Sequence, residues 1–155
     1  MAKRSAGILL YRMREGEPEV LLVHPGGPFW KNKDLGAWSI PKGEYGEDET
    51  PLSAALREFE EETGVRPAAN SLIELGEVRQ KSGKVVVAWA VWGEFEVGEL
   101  RSNLVELAWP PRSGRTQSFP EVDRAEWFDP ATARGKLVAA QAEFISRLLD
   151  ALAPE

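Results

Sequence analysis

Between Gly43 and Val65 the chain reads GEYGEDETPLSAALREFEEETGV, and this run constrains everything around it. The spacing predicts one short helix carrying Arg57, Glu58, Glu61 and Glu62. Glu58, Glu61 and Glu62 stand at i, i+3 and i+4 and so share a face. Like charges at i,i+4 cost roughly 0.2–0.5 kcal/mol, so a helix built for stability alone would not pair Glu58 with Glu62. Three carboxylates converging on one spot suit a hard divalent cation such as Mg²⁺, which takes oxygen ligands. A merely solvated charged face is the usual fate of a charge run, but here position, spacing and caps all agree on the first reading.

Local signals bound the helix. Thr50 is an N-cap residue and Pro51 suits the first helical turn. Gly64 stands where a left-handed residue would end the helix. Leu52, Ala55, Leu56 and Phe59 form an apolar stripe facing a core. Pro51 and Ala54 fall on the acidic side, where their small size is expected to leave room for a metal and phosphates. The preceding loop, Lys42 to Gly46, can bring backbone close to a ligand.

The segment resembles the Nudix box, G-x5-E-x7-R-E-U-x-E-E-x-G-U with U apolar. Gly43, Glu49, Arg57, Glu58, Phe59, Glu61, Glu62, Gly64 and Val65 match every defined position. The resemblance implies hydrolysis of a diphosphate linkage in a nucleoside diphosphate joined to another group. It implies an α/β/α sandwich around a mixed sheet, with Mg²⁺ or Mn²⁺ held by the box helix. Glu58, Glu61 and Glu62 would ligate metal or move protons, Arg57 would orient them, and Glu49 would pair with Arg57. The backbone around Gly43 would supply a metal-contacting carbonyl, and neighbouring Lys42 would neutralise phosphate. Two or three Mg²⁺ ions would activate the attacking water.

Within the family, the run WSIPKGE resembles the Pro-Lys-Gly type of asymmetric diadenosine tetraphosphate hydrolases, which points to a nucleoside triphosphate or a dinucleoside polyphosphate. The Tyr that those hydrolases carry downstream of the box is replaced by Gln80-Lys81-Ser82-Gly83, and the Pro marking ADP-ribose hydrolases is also missing. The rival from another class is a non-catalytic Nudix domain that binds a nucleotide or a protein as a sensor. Such domains usually lose box carboxylates, whereas this chain keeps them all.

Composition narrows the rest. A chain of 155 residues, 43% hydrophobic and 28% charged, fits one globular domain spanning 1–155. No run is long enough to span a bilayer, and MAKRSAGILLYRMREG reads as a first strand rather than a signal peptide. The absence of cysteine rules out disulfides and thiolate chemistry and makes the cytoplasm the default location. A net charge of -6 argues against long nucleic acid as a partner and for a small nucleotide bridged by cations. The sequence leaves the oligomeric state open.

Strands are expected at Ser5–Met13 and Glu19–His24, at Leu72–Gln80 and Lys84–Trp92 as an antiparallel pair, and at Glu126–Phe128. Asp129-Pro130 begins a short helix, and Val138–Leu152 reads as an amphipathic closing helix. The segment Arg101 to Pro120 fits no plain strand pattern and is expected to be a long loop. Its Trp109 and Phe119, with Arg112 and Arg115, are candidates to cover a base and phosphates, set against a loop merely anchored by its aromatics. One further carboxylate from outside the helix is expected at the metals. Glu121 is the candidate, on a short local match to RNA 5′-pyrophosphohydrolases, with Glu126, Glu106 and Glu94 as alternatives. His24, the lone histidine, reads as a packed or exposed bystander rather than a phosphate ligand. Trp30 and Trp38 are stacking candidates, Trp38 more readily core. Lys31, Lys33 and Arg79 are further candidates for phosphate contact, with no other sequence feature behind them.

Overall fold

In a computed structural model of the chain, residues 3–68 and 71–154 are described. The long strands β1 (Arg4–Arg14) and β2 (Glu17–Pro25) form a hairpin paired at Tyr11–Arg14 and Glu17–Val20. Beyond that pairing the two strands separate. The segment from Ser39 through β3 (Lys42–Glu44) fills the gap. Ser39 exchanges backbone bonds with Val23, Pro41 accepts from Ile8, and β3 pairs antiparallel with Ser5–Gly7. The wedge delivers Lys42 and Gly43 to the middle of the sheet.

With β4 (Ile73–Arg79), β5 (Val85–Trp92) and β8 (Val122–Phe128), the sheet runs β4-β5-β1-β2-β8, with β3 on β1. Strands β4 and β5 are the expected antiparallel pair. The β1–β5 pairing is parallel, so the sheet is mixed. Alternation along β1 assigns its two faces. Ala6, Ile8 and Leu10 pack with helix α1 (Pro51–Thr63), while Leu9 and Tyr11 pack with helix α3 (Ala142–Leu152). Strands buried on both faces read as continuous apolar runs, as GILLY and VLLV do. Helix α2 (Pro130–Lys136), capped by Asp129, lies on the α3 side. The result is the expected α/β/α sandwich.

Several elements depart from the sequence reading. The segment read as a loop holds a two-stranded hairpin, β6 (Leu104–Ala108) and β7 (Thr116–Pro120), in register Leu104↔Pro120 to Ala108↔Thr116. Its pattern was hidden because both strands stand clear of the main core and carry mixed polar residues. Strand β8 begins at Val122 rather than Glu126. The closing helix begins at Ala142, after a 3₁₀ turn at Ala139–Gln141 whose Gln141 is buried and accepts from Ile40 N–H at 3.0 Å. Ala54, expected to leave room beside the acids, is fully buried in the core shared by β1 and α1. Among the described residues, no helix is long and apolar enough to cross a membrane.

Candidate active site

The helix caps set the site. Thr50 Oγ1 accepts from Ser53 N–H at 3.2 Å, and Gly64 adopts φ 87° with its N–H on the Glu60 carbonyl. Between these ends, Glu58 and Glu62 lie one turn apart and turn inward, both buried. Glu121 arrives from the bend between β7 and β8. Glu58, Glu62 and Glu121 each offer a carboxylate oxygen within 4.8 Å of the others. The alternatives lie elsewhere. Glu94 accepts from Arg12 at 3.1 Å, and Glu106 and Glu126 are exposed on other strands.

Glu61 stands on the half-exposed flank of this group. Arg57 links it to the rest: Nη1 donates to Glu58 at 2.8 Å and to Glu61 at 3.2 Å. The other side of the guanidinium donates to Glu49, from Nε at 2.8 Å and from Nη2 at 2.9 Å. The bidentate contact with Arg57 holds the Glu49 carboxyl below its ordinary range and, with Glu58 and Glu61, raises the guanidinium pKa further.

The electrostatics of the buried acids run the other way. Burial raises the Glu58 carboxyl despite the opposing Arg57 bond. Burial, and then the nearby Glu121 charge, raise Glu62 well above the usual carboxylate range. Like charges gathered out of water favour protonation until a cation joins them. Lys42 shows the complementary shift: burial lowers its pKa first and the Lys84 charge adds to this, against the pull of Glu62 and Glu121. Gly43 passes so close to Glu58 that a Cβ there would sit 2.0 Å from Cδ of that carboxylate. Glu62 and Glu121 border a cleft of about 150 Å³ that Val23, Pro25, Ser39, Lys42 and Val122 also line. Ser39 is a lining residue that sequence reasoning passed over, although its place in WSIPKG beside the box was a usable signal.

Other candidates sit away from the cleft. His24 is fully buried, with Nδ1 2.8 Å from Asp123 Oδ1 and Nε2 2.6 Å from the Lys33 carbonyl. Both ring nitrogens are thus engaged inside the protein. Trp38 is core, donating from Nε1 to Asp34 at 2.8 Å. Trp30 is exposed beneath Lys33, whose Nζ lies 5.0 Å from the ring centroid. Lys31 is exposed, and Arg79 donates to the Gly83 carbonyl at 3.2 Å. Arg112 and Arg115 are exposed at the turn of the β6–β7 hairpin, where Trp109 meets Phe29 edge-on at 5.5 Å between centroids.

A NUDIX domain model matches residues 1–148 of the chain. The chain belongs to the Nudix family. It is 30% identical over 100 residues to a mouse asymmetrical bis(5′-nucleosyl)-tetraphosphatase, a match covering 57% of this chain and 64% of that one. It is 43% identical over 49 residues to an RNA pyrophosphohydrolase of Xylella fastidiosa, covering 31% of this chain and 26% of the relative. The chain therefore spans less than two thirds of the length of these relatives. The Nudix domain of Shewanella oneidensis NrtR, solved with ADP ribose, superposes with a TM-score of 0.66 at 18% identity, over 99% of this chain and 90% of that one. At that identity the likeness establishes the shared fold.

Proposed function

We propose that this Nudix protein is a divalent-metal-dependent hydrolase that cleaves a phosphoanhydride bond in a nucleoside diphosphate derivative, either a nucleoside triphosphate or a dinucleoside polyphosphate. The observation that carries the reading is the convergence of Glu58, Glu62 and Glu121 beside an open cleft. The donor set fits Mg²⁺ or Mn²⁺: all three ligands are hard carboxylate oxygens, drawn from two directions, and their mutual repulsion calls for a cation. Glu61 and the Gly43 backbone carbonyl would complete the set. Such a cation, when bound, neutralises the diphosphate and lowers the pKa of an attacking water.

The chain's own residues then have distinct tasks. Arg57 keeps the Glu58 and Glu61 carboxylates in fixed orientation by anchoring to Glu49. Glu58, Glu61 and Glu62, beyond holding metal, provide the acceptor for the proton that the water gives up. Lys42, which lines the cleft wall, would meet a phosphate oxygen. Arg112 and Arg115, out on the hairpin, are assigned to the far end of the substrate. The cysteine-free chain suits the cytoplasm, and its acidity suits a small nucleotide rather than a long nucleic acid.

A panel of nucleoside triphosphates, dinucleoside polyphosphates and ADP ribose, assayed for phosphate release with and without Mg²⁺, tests the proposal. Turnover of one class that vanishes in excess chelator is expected. Nucleotide binding without turnover of any substrate would favour the sensor reading instead.

A further inference from the structure

Residues 101–103 form an extended strap before β6. Arg101 N–H donates to the Thr63 carbonyl at 3.0 Å, and Asn103 N–H donates to the Glu61 carbonyl at 2.8 Å. The last carbonyls of a helix have no intrahelical donor, and the strap supplies two. It crosses Gly64 so closely that a Cβ there would lie 2.8 Å from Arg101 Cβ. Its other edge holds the backbone of Glu121. Glu121 N–H donates to the Asn103 carbonyl at 2.9 Å, and the Glu121 carbonyl accepts from Gly26 N–H at 2.9 Å.

One side chain completes the clamp. Ser102 Oγ accepts from Val122 N–H at 2.9 Å and donates to the same Asn103 carbonyl at 2.9 Å. Both peptide planes that flank Glu121 Cα are therefore tied: the first through the Glu121 N–H, the second through the Glu121 carbonyl and the Val122 N–H. The strap ends on the helix that carries Glu58 and Glu62. It spans the two sources of carboxylate with a few short bonds.

We propose that Ser102 is a positioning residue that fixes Glu121 against Glu58 and Glu62 and so sets the affinity of the site for a divalent cation. The proposal rests on Glu121 being a metal ligand. Three carboxylates gathered without a cation repel one another, and Glu121, at a bend outside the helix, is the member with most freedom to retreat. The strap opposes that retreat before the cation arrives, which removes an ordering cost from binding.

The test is Mn²⁺ affinity, read from the electron paramagnetic resonance signal of free Mn²⁺, with thermal midpoints measured alongside. The variants are Ser102→Ala, Ser102→Thr, Ser102→Val, Glu121→Gln and Ser102→Ala/Glu121→Gln. Thr keeps the hydroxyl, and Val matches Thr in shape without it. Ser102→Ala and Ser102→Val are expected to weaken Mn²⁺ binding about 2- to 10-fold, the factor that one hydrogen bond supplies, while Ser102→Thr stays near the parent. In the Glu121→Gln background, Ser102→Ala should add less than about twofold, because coupled sites are non-additive. Full additivity overturns the proposal. So does a lowered midpoint with unchanged Mn²⁺ affinity, which would leave the hydroxyl a purely structural part. Parent-like Mn²⁺ affinity in Glu121→Gln alone would instead remove Glu121 from the metal site.

Discussion

Arg57 grips Glu49 through Nε at 2.8 Å and Nη2 at 2.9 Å, leaving Nη1 to hold Glu58 and Glu61. A lysine offers one point charge and cannot hold three carboxylates in fixed relation. Arg57→Lys is therefore expected to lower turnover about 10- to 100-fold although charge is kept, the range seen when a partner of a metal ligand is lost. Steady-state kinetics at saturating Mg²⁺ checks this, and unimpaired turnover would remove the orienting role.

Gly43 and Glu58 make a second test, this one steric. A Cβ at position 43 would sit 2.0 Å from Glu58 Cδ, so the carboxylate must move. Gly46 is the control, since its Cβ would meet Asp48 Oδ1 at an ordinary 3.4 Å. Gly43→Ala is expected to weaken Mn²⁺ binding by about tenfold or more, with Gly46→Ala close to the parent. Calorimetric titration of both variants with Mn²⁺ would show it.

Protonation of Glu62 gives a pH dependence with a definite sign. Its folded pKa lies well above 4.5, through burial and then Glu121. The folded state therefore binds the proton more tightly than the unfolded state does. Its stabilising contribution is complete below about pH 4.5 and is lost as pH rises through the folded value. Glu49, Asp34 and Asp129 are held below their ordinary values, and their opposite slope falls at lower pH. Lys42, also lowered, acts at the alkaline end. Urea unfolding of the metal-free protein from pH 5 upward should show declining stability. The decline should shrink in Glu62→Gln and with saturating Mg²⁺, since metal binding requires the ionised carboxylate. A slope unchanged in Glu62→Gln would refute the assignment.

The box was legible because each of its demands is local. A cap, a left-handed glycine, a helical period and a run of acids all fall within one continuous segment. The sandwich was legible for a similar reason: β1, β2 and β5 are buried on both faces, so their apolar runs are unbroken. The hairpin was not, because β6 and β7 stand outside that core, and Pro110, Pro111 and Gly114 at their turn mimic the composition of a plain loop. The partnership of Ser102 with Val122, 20 residues apart, leaves no periodic trace in sequence. Ala54 misled for another reason. Small size suggests room beside the acids, whereas Ala54 is fully buried in the core between the helix and β1.

The hairpin supplies the last prediction. Arg115 lies six residues from Glu121 along nearly extended chain, so the two Cα atoms are separated by at most roughly 20 Å. If the substrate runs from the carboxylates towards the hairpin turn, these arginines would meet its distal part rather than the phosphates nearest the carboxylates. Trp109, cross-strand from Arg115 and packed on Phe29, adds an aromatic edge at the same place. Replacing Arg112 and Arg115 together by Ala should raise KM for a dinucleoside tetraphosphate by about tenfold, with kcat little changed. KM for a nucleoside diphosphate derivative too short to reach the hairpin should shift less than about twofold. A uniform rise in KM shows loss of an interaction common to both substrates, whereas a selective rise locates it at the added length. Equal effects on the two substrates would mean that the hairpin does not read substrate length.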